Sequence, residues 1–153
     1  MRLINLVFSM ILVLVLTGCS NKDKEDHKCT TVAEDDAKMQ NYISANGITA
    51  IKHASGLYYQ IIEPGSGATP TISSTVKANY TGKFTNNTSF DGGVASFPLG
   101  GVIEGWQIGI PLIRQGGKIK LIIPPYLAYG CNDYRGIPGN SVLVFDVELL
   151  EVR

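Results

Sequence analysis

"GGVIEGWQIGIPLI", Gly100 to Ile113, carries the single tryptophan of the chain, Trp106, directly after Gly105, with Pro111 shortly behind it. Glycine and proline both disfavour helix interiors. A helix over about Ile103 to Ile110 is therefore not stable alone, and short helices depend on tertiary packing. The flanking sequence supplies a surface for it. "GKIKLIIP" (Gly117 to Pro124) alternates Lys118 and Lys120 against Ile119, Leu121 and Ile123. "TVKANYTGKF" (Thr75 to Phe84) alternates Val76, Ala78 and Tyr80 against Lys77, Asn79 and Thr81. "SVLVFDVELLEV" puts Leu143, Phe145, Val147 and Leu149 on one face, and Val142, Val144, Asp146 and Glu148 on the other. Strict alternation of this kind is the signature of half-buried strands. "GLYYQIIE" (Gly56 to Glu63) adds another strand, ended by the turn signal Pro64-Gly65. "TNNTSFDGG" breaks the pattern after Phe84. Several strands with one packed helix predict an α+β antiparallel sheet domain. Gly105 and Gly109 are expected to let the helix approach the strands closely, and Pro111 to mark its end.

The chain has 153 residues, which is one domain with room for extras. Its formal net charge is zero, so no electrostatic footprint for nucleic acid is present. Seventeen glycines and seven prolines fit a fold with many turns.

The N-terminus reads as a targeting segment. Arg2 precedes the mostly apolar run Leu3 to Leu16, which is interrupted by Asn5 and Ser9 and is short for a membrane span. The run ends in "LTGC", Leu16 to Cys19, which resembles a bacterial lipoprotein lipobox. That resemblance implies cleavage before Cys19 and lipidation of Cys19. The expected organisation is a signal peptide over 1–18, a tether over 19–30, a helix over 31–47 and the main domain over 48–153. Export would put Cys29 and Cys131 where disulfides persist; whether they pair is not readable from sequence. His27 and Cys29 are two metal-ligand types without a second pair, a poor metal site. No metal or cofactor is expected.

Thr31-x-x-Glu34 fits a capping box. Glu34, Asp35 and Asp36 lie where a helix dipole favours acids. Val32, Met39, Tyr42 and Ile43 form an apolar stripe, and Asn46-Gly47 is a stop signal. The stripe suits docking on the chain's own domain, a spacer, or a dimerisation helix. A monomer or weak dimer is expected.

"ANYTGKF" followed by "SFD", "VIEGW", "GGKIKLIIPPYLAYG" and "IPGNSVLVFDVELL" occur here in the order found in FKBP-type peptidyl-prolyl isomerases. The resemblance covers about Ser55 to Val152. It implies a curved antiparallel β-sheet wrapped around one short α-helix, with the N-terminal helix outside the core. It implies an aromatic pocket that binds proline-containing polypeptides, with a macrolide as a possible ligand. Trp106 would be the pocket floor, with Tyr80, Phe90 and Phe145 as walls and Phe97 nearby. Val102 and Ile103 would border the helix start, with the Ile103 N–H donating to a ligand carbonyl. Tyr129 would offer its hydroxyl from above, and Ile137 would close one side. Asp91 is expected to be the single buried carboxylate, with Tyr80 as its candidate partner. Tyr80, Asp91, Trp106 and Tyr129 form the expected catalytic set.

Two departures stand out. Ala95 occupies a position that is aromatic in human-type members, and the short stretch between Asp91 and Phe97 lacks the arginine that often pairs with the pocket acid. The loop Gly130 to Pro138 is too short for the chaperone domain that some bacterial members insert there. The implied activity is prolyl isomerisation assisting the folding of exported proteins in the bacterial cell envelope, from a lipid-anchored position. The alternative is a noncatalytic proline-binding or holdase lipoprotein using the same pocket.

Overall fold

A computed structural model describes residues 28–153. The signal-like run, Cys19 and His27 lie outside the described residues. Helix α1 (Val32–Ala45) opens the fold, followed by strands β1 (Ile51–Lys52), β2 (Tyr58–Glu63), β3 (Thr75–Phe84) and β4 (Ser89–Pro98). Helix α2 (Glu104–Gly109) comes next, then β5 (Lys118–Ile123) and β6 (Leu143–Val152). The strands form one six-stranded antiparallel sheet in the order β1-β2-β5-β6-β3-β4.

The alternation read from the sequence sorts the side chains as expected. Val76 and Ala78 of β3, Ile119, Leu121 and Ile123 of β5, and Leu143, Phe145, Val147 and Leu149 of β6 are buried in one core with Trp106 and Ile110. Helix α2 packs on this face. A Cβ added to Gly105 would lie 2.5 Å from Ile123 Cγ2, and one added to Gly109 would lie 2.5 Å from Leu121 Cδ2. The two glycines are what lets so short a helix sit flat on β5. Pro111 falls in a 3₁₀ turn, Ile110–Leu112, that continues directly from α2.

Helix α1 lies outside this main core, on the opposite face of the sheet. Met39 and Tyr42 bury there against Tyr58, Ile122, Val142 and Val144. The helix docks on its own domain, and its two most buried apolar residues are occupied by that docking. Its start is the expected capping box. Thr31 Oγ1 accepts from the Glu34 N–H at 3.2 Å, and the Thr31 N–H donates to Glu34 Oε2 at 2.7 Å. Asp36 reaches across to β1 and β2. It pairs with Lys52 at 2.5 Å and accepts from the Tyr58 hydroxyl at 2.9 Å. The hydrogen bond from Lys52 is the main reason its carboxyl is held below the usual range.

Two features differ from the sequence reading, and one that it left open is decided by the structure. Ser89 to Pro98 is a continuous edge strand, although "TNNTSFDGG" breaks the alternating sequence pattern there. Its glycines and small residues hide the period-2 pattern, and pairing with β3 holds it. Cys29 and Cys131 form a disulfide across 102 residues, so the segment before α1 is fastened to the domain. Finally, Asp91 is exposed, because it sits on the outermost strand of the sheet. The buried carboxylate among the described residues is Asp35, 2% exposed, at the start of α1.

Candidate active site

The site lies where β3, β4 and β6 curve over the N-terminal end of α2. Trp106 is 3% exposed and is set by the close seating of Gly105. Three rings meet it edge to face. Tyr80 of β3 lies 5.4 Å away at 90°, Phe97 of β4 at 5.6 Å and 77°, and Phe145 of β6 at 5.5 Å and 86°. Phe90 meets Phe145 at 5.7 Å and 89°. Edge-to-face packing of this kind suits the quadrupoles of aromatic rings and makes a rigid wall. Gly82 is the reason the wall closes, since a Cβ there would come within 2.7 Å of the Phe90 ring and 2.9 Å of Phe145.

The rings line a cleft of about 260 Å³ that is open to solvent. Tyr80, Phe90, Asp91, Phe97, Val102, Ile103, Trp106, Tyr129 and Phe145 all line it. The structure therefore brings nine of the ten residues singled out for the pocket to one place. Ile137 lines an adjoining cavity instead, one that shares Phe90, Asp91, Tyr129 and Tyr134 with the first, and its side chain is buried in the same core as Trp106 and Phe145. Tyr134 was missed by sequence reasoning. It lines the cavity and stacks on Tyr129 at 4.7 Å with an interplanar angle of 12°. An aromatic residue inside so short a loop next to Tyr129 was the available signal.

Polar groups are few. Tyr80 Oη donates to Asp91 Oδ2 at 2.9 Å, and the Gly92 N–H donates to Asp91 Oδ1 at 2.8 Å. Both carboxylate oxygens are thus engaged without an arginine. Burial first, and then the bond to Asp91, push the Tyr80 hydroxyl up to about 12. Burial also raises Tyr129, with Tyr134 and Asp91 adding to it. The Trp106 Nε1–H is the one buried side-chain nitrogen or oxygen without a hydrogen-bond partner among the described residues. The Ile103 N–H, at the N-cap of α2, is likewise free of hydrogen bonds to described residues. An aromatic box with the unengaged Ile103 N–H and the Tyr129 hydroxyl on its lining can hold a carbonyl-bearing apolar ring. It offers no thiolate, since Cys131 is in the disulfide. Among the described residues no histidine lines the cavity.

The family model for FKBP-type peptidyl-prolyl cis-trans isomerase matches residues 67–150. The chain is 51% identical over 105 residues to the FKBP-type peptidyl-prolyl cis-trans isomerase FkpA of Escherichia coli (strain K12), covering 65% of this chain and 39% of that protein. It is 43% identical over 129 residues to FkpA of Aeromonas hydrophila, covering 78% of this chain and 47% of the relative. The chain thus spans less than half the length of these curated relatives. Among solved structures, the crystal structure of FkpA from Escherichia coli superposes with a TM-score of 0.72 at 44% identity, over 80% of this chain and 61% of that one. The crystal structure of AtFKBP13 gives a TM-score of 0.63 at 33% identity, over 68% of this chain and 98% of its own.

Proposed function

The chain belongs to the FKBP-type peptidyl-prolyl cis-trans isomerase family, and from that premise we propose that it isomerises X–Pro bonds in exported polypeptides. The observation that carries this reading is the box of Tyr80, Phe97, Trp106 and Phe145, closed on one side by the Tyr80–Asp91 hydrogen bond. Rotation about an X–Pro bond crosses a barrier of about 18–20 kcal/mol because it breaks amide resonance. The twisted amide is less charge-separated than the planar one. A dry aromatic box disfavours the planar form relative to the twisted form, which is differential binding of the transition state. Trp106 supports the prolyl ring while the chain on one side turns. The Ile103 N–H and the Tyr129 hydroxyl hold substrate carbonyl oxygens. Asp91 orients Tyr80. No bond to the protein forms, so no nucleophile, metal or cofactor is required.

The test is an isomerisation assay on a proline tetrapeptide using residues 29–153, with and without a macrolide that fills the pocket. Binding without acceleration would favour the noncatalytic proline-binding or holdase reading. Asp91→Ala should slow the reaction about fivefold, the size of one hydrogen bond's net contribution. Complete loss of activity in a folded Asp91→Ala protein would assign that carboxylate a direct chemical role instead.

Activity should be flat between about pH 6 and 8, without the bell shape of a general acid–base pair. Folding favours the protonated Tyr80 hydroxyl, so its contribution to stability is full below the ordinary value of 10.0 and is lost as pH rises through about 12. A sharp optimum near neutrality, measured with the same peptide, would count against the nonchemical mechanism.

The lipobox-like "LTGC" supports attachment to the bacterial cell envelope through lipidated Cys19. Among the described residues no helix is long and apolar enough to cross a membrane. Cys19→Ala should release the protein from membrane fractions or block its processing. Unchanged processing and retention would remove the lipid anchor from the reading. The docking of Met39 and Tyr42 on the chain's own sheet supports a monomer or weak dimer.

A further inference from the structure

Tyr129 and Tyr134 stand at the pocket mouth on a loop that is anchored in the core by Ile137 but leaves these two side chains only partly covered. They are 36% and 43% exposed, and their main aromatic contact is with each other. The loop is nonetheless sharply defined. Tyr134 and Ile137 exchange backbone hydrogen bonds at 2.9 and 2.8 Å, and the Asn140 N–H donates back to the Gly130 carbonyl at 3.0 Å. A Cβ on Gly139 would lie 2.1 Å from the Cys131 carbonyl oxygen, so the two ends of the loop are in contact.

The loop is also fastened from the far end of the chain. Cys131, two positions after Tyr129, is bonded to Cys29. Asn140, at the other end of the loop, accepts at Oδ1 from the Thr30 N–H at 2.9 Å and from Thr30 Oγ1 at 3.2 Å. Its Nδ2 donates to the Lys28 carbonyl at 2.9 Å. The single Thr30 Oγ1 proton is shared with the buried Asp35, whose Oδ1 is the nearer acceptor at 2.7 Å, and this ties the same segment to the first turn of α1. The N-terminal segment is thus held to both ends of the loop and, through α1, to the back of the sheet. It lies outside the residues matched by the family model.

We propose that the Cys29–Cys131 disulfide and Asn140 form a clasp that positions the pocket-mouth loop, so that Cys29, Cys131 and Asn140 are positioning residues for Tyr129 and Tyr134. The proposal rests on the isomerase reading of the pocket. With the clasp closed, the two tyrosines are in place before substrate arrives. With it open, binding has to order them. The Tyr129 hydroxyl is reached in the end by both forms, so the deficit falls on binding rather than on turnover.

The test uses the full chain purified in mild detergent, measured below the unfolding temperature of every variant. Cys131→Ser removes the disulfide. Asn140→Gly keeps the backbone at φ 59°, which glycine tolerates, and deletes only the side-chain bonds to Lys28 and Thr30. Each should raise KM for a proline tetrapeptide about three- to tenfold, the scale of ordering one or two side chains, with kcat within about twofold. Amide hydrogen exchange should quicken over residues 129–140 and not in β3 or β6. A small dithiol should act on the wild type in the same way. It breaks the Cys29–Cys131 bond, leaves two thiols and is itself oxidised to a cyclic disulfide. It should have no effect on Cys131→Ser. Unchanged KM with unchanged loop exchange would overturn the proposal. So would exchange that quickens uniformly while kcat falls, since that marks a purely global stabiliser. If the wild-type chain isomerises nothing, the isomerase reading falls on its own, and the exchange comparison still decides whether the clasp orders the loop.

Discussion

Trp106→Ala should destabilise the domain by about 3–5 kcal/mol and remove binding of proline peptides. Such a loss is a large part of the about 5–15 kcal/mol that holds a typical domain folded. The size follows from position. Trp106 touches Tyr80, Phe97 and Phe145 edge to face, so its removal strips all three walls of their shared partner. Chemical denaturation gives the stability change. Because the alanine variant can fail through unfolding alone, Trp106→Leu is the sharper arm. Leucine keeps an apolar side chain on the sheet and should leave a cooperative fold, while isomerisation falls at least about tenfold through loss of the flat floor. A folded Trp106→Leu protein with normal turnover would place the active pocket elsewhere. As Trp106 is the only tryptophan, its emission in the wild type should also shift when a proline mimic enters.

Gly105→Val is expected to cost about 1–3 kcal/mol or more by overpacking, and to take ligand binding with it. Three atoms of Ile123 lie 2.5, 2.8 and 3.0 Å from where a Cβ would stand, and Ile123 is fully buried, with no open space to turn into. The helix must lift off β5, and Trp106 lifts with it. The steric origin has a specific signature. Ile123→Ala alone should destabilise by leaving a cavity, but combined with Gly105→Val it should recover part of the loss. The two sites should therefore couple in a double-mutant cycle. Additive losses would mean that the glycine matters for the backbone conformation and not for the close approach.

The sequence was most legible where one physical constraint acts on neighbouring residues. The alternation in β3, β5 and β6 announced their buried faces because side chains on a strand point alternately to its two sides. Val142 and Val144, apolar on the face opposite the main core, also carried a trace of α1, which covers them. The capping box and the Asn46-Gly47 stop bounded α1 because caps are satisfied within a few residues. The motifs around Tyr80, Phe90, Trp106 and Tyr129 identified the pocket, and nine of the ten expected residues meet there.

Strand β4 was hidden because its order comes from pairing with β3. Gly92 and Gly93 make it a poor strand by itself, and only the ladder from Thr75↔Pro98 to Lys83↔Ser89 shows that it is one. Asp91 was expected to be buried because the family resemblance implied it. Burial depends on which strand is outermost, and local sequence does not encode strand order. Local sequence by itself determined α1, α2 and the strands β2, β3, β5 and β6, the faces of those strands and the glycines under α2, while the pocket residues came from the family resemblance. Tertiary structure alone decided the strand order, the exposure of Asp91, the burial of Asp35, and the joining of Cys29 to Cys131 and of Thr30 to Asn140. The first group follows from forces between residues a few positions apart. The second follows from contacts across as many as 112 residues, which exist only once the whole sheet has closed around α2.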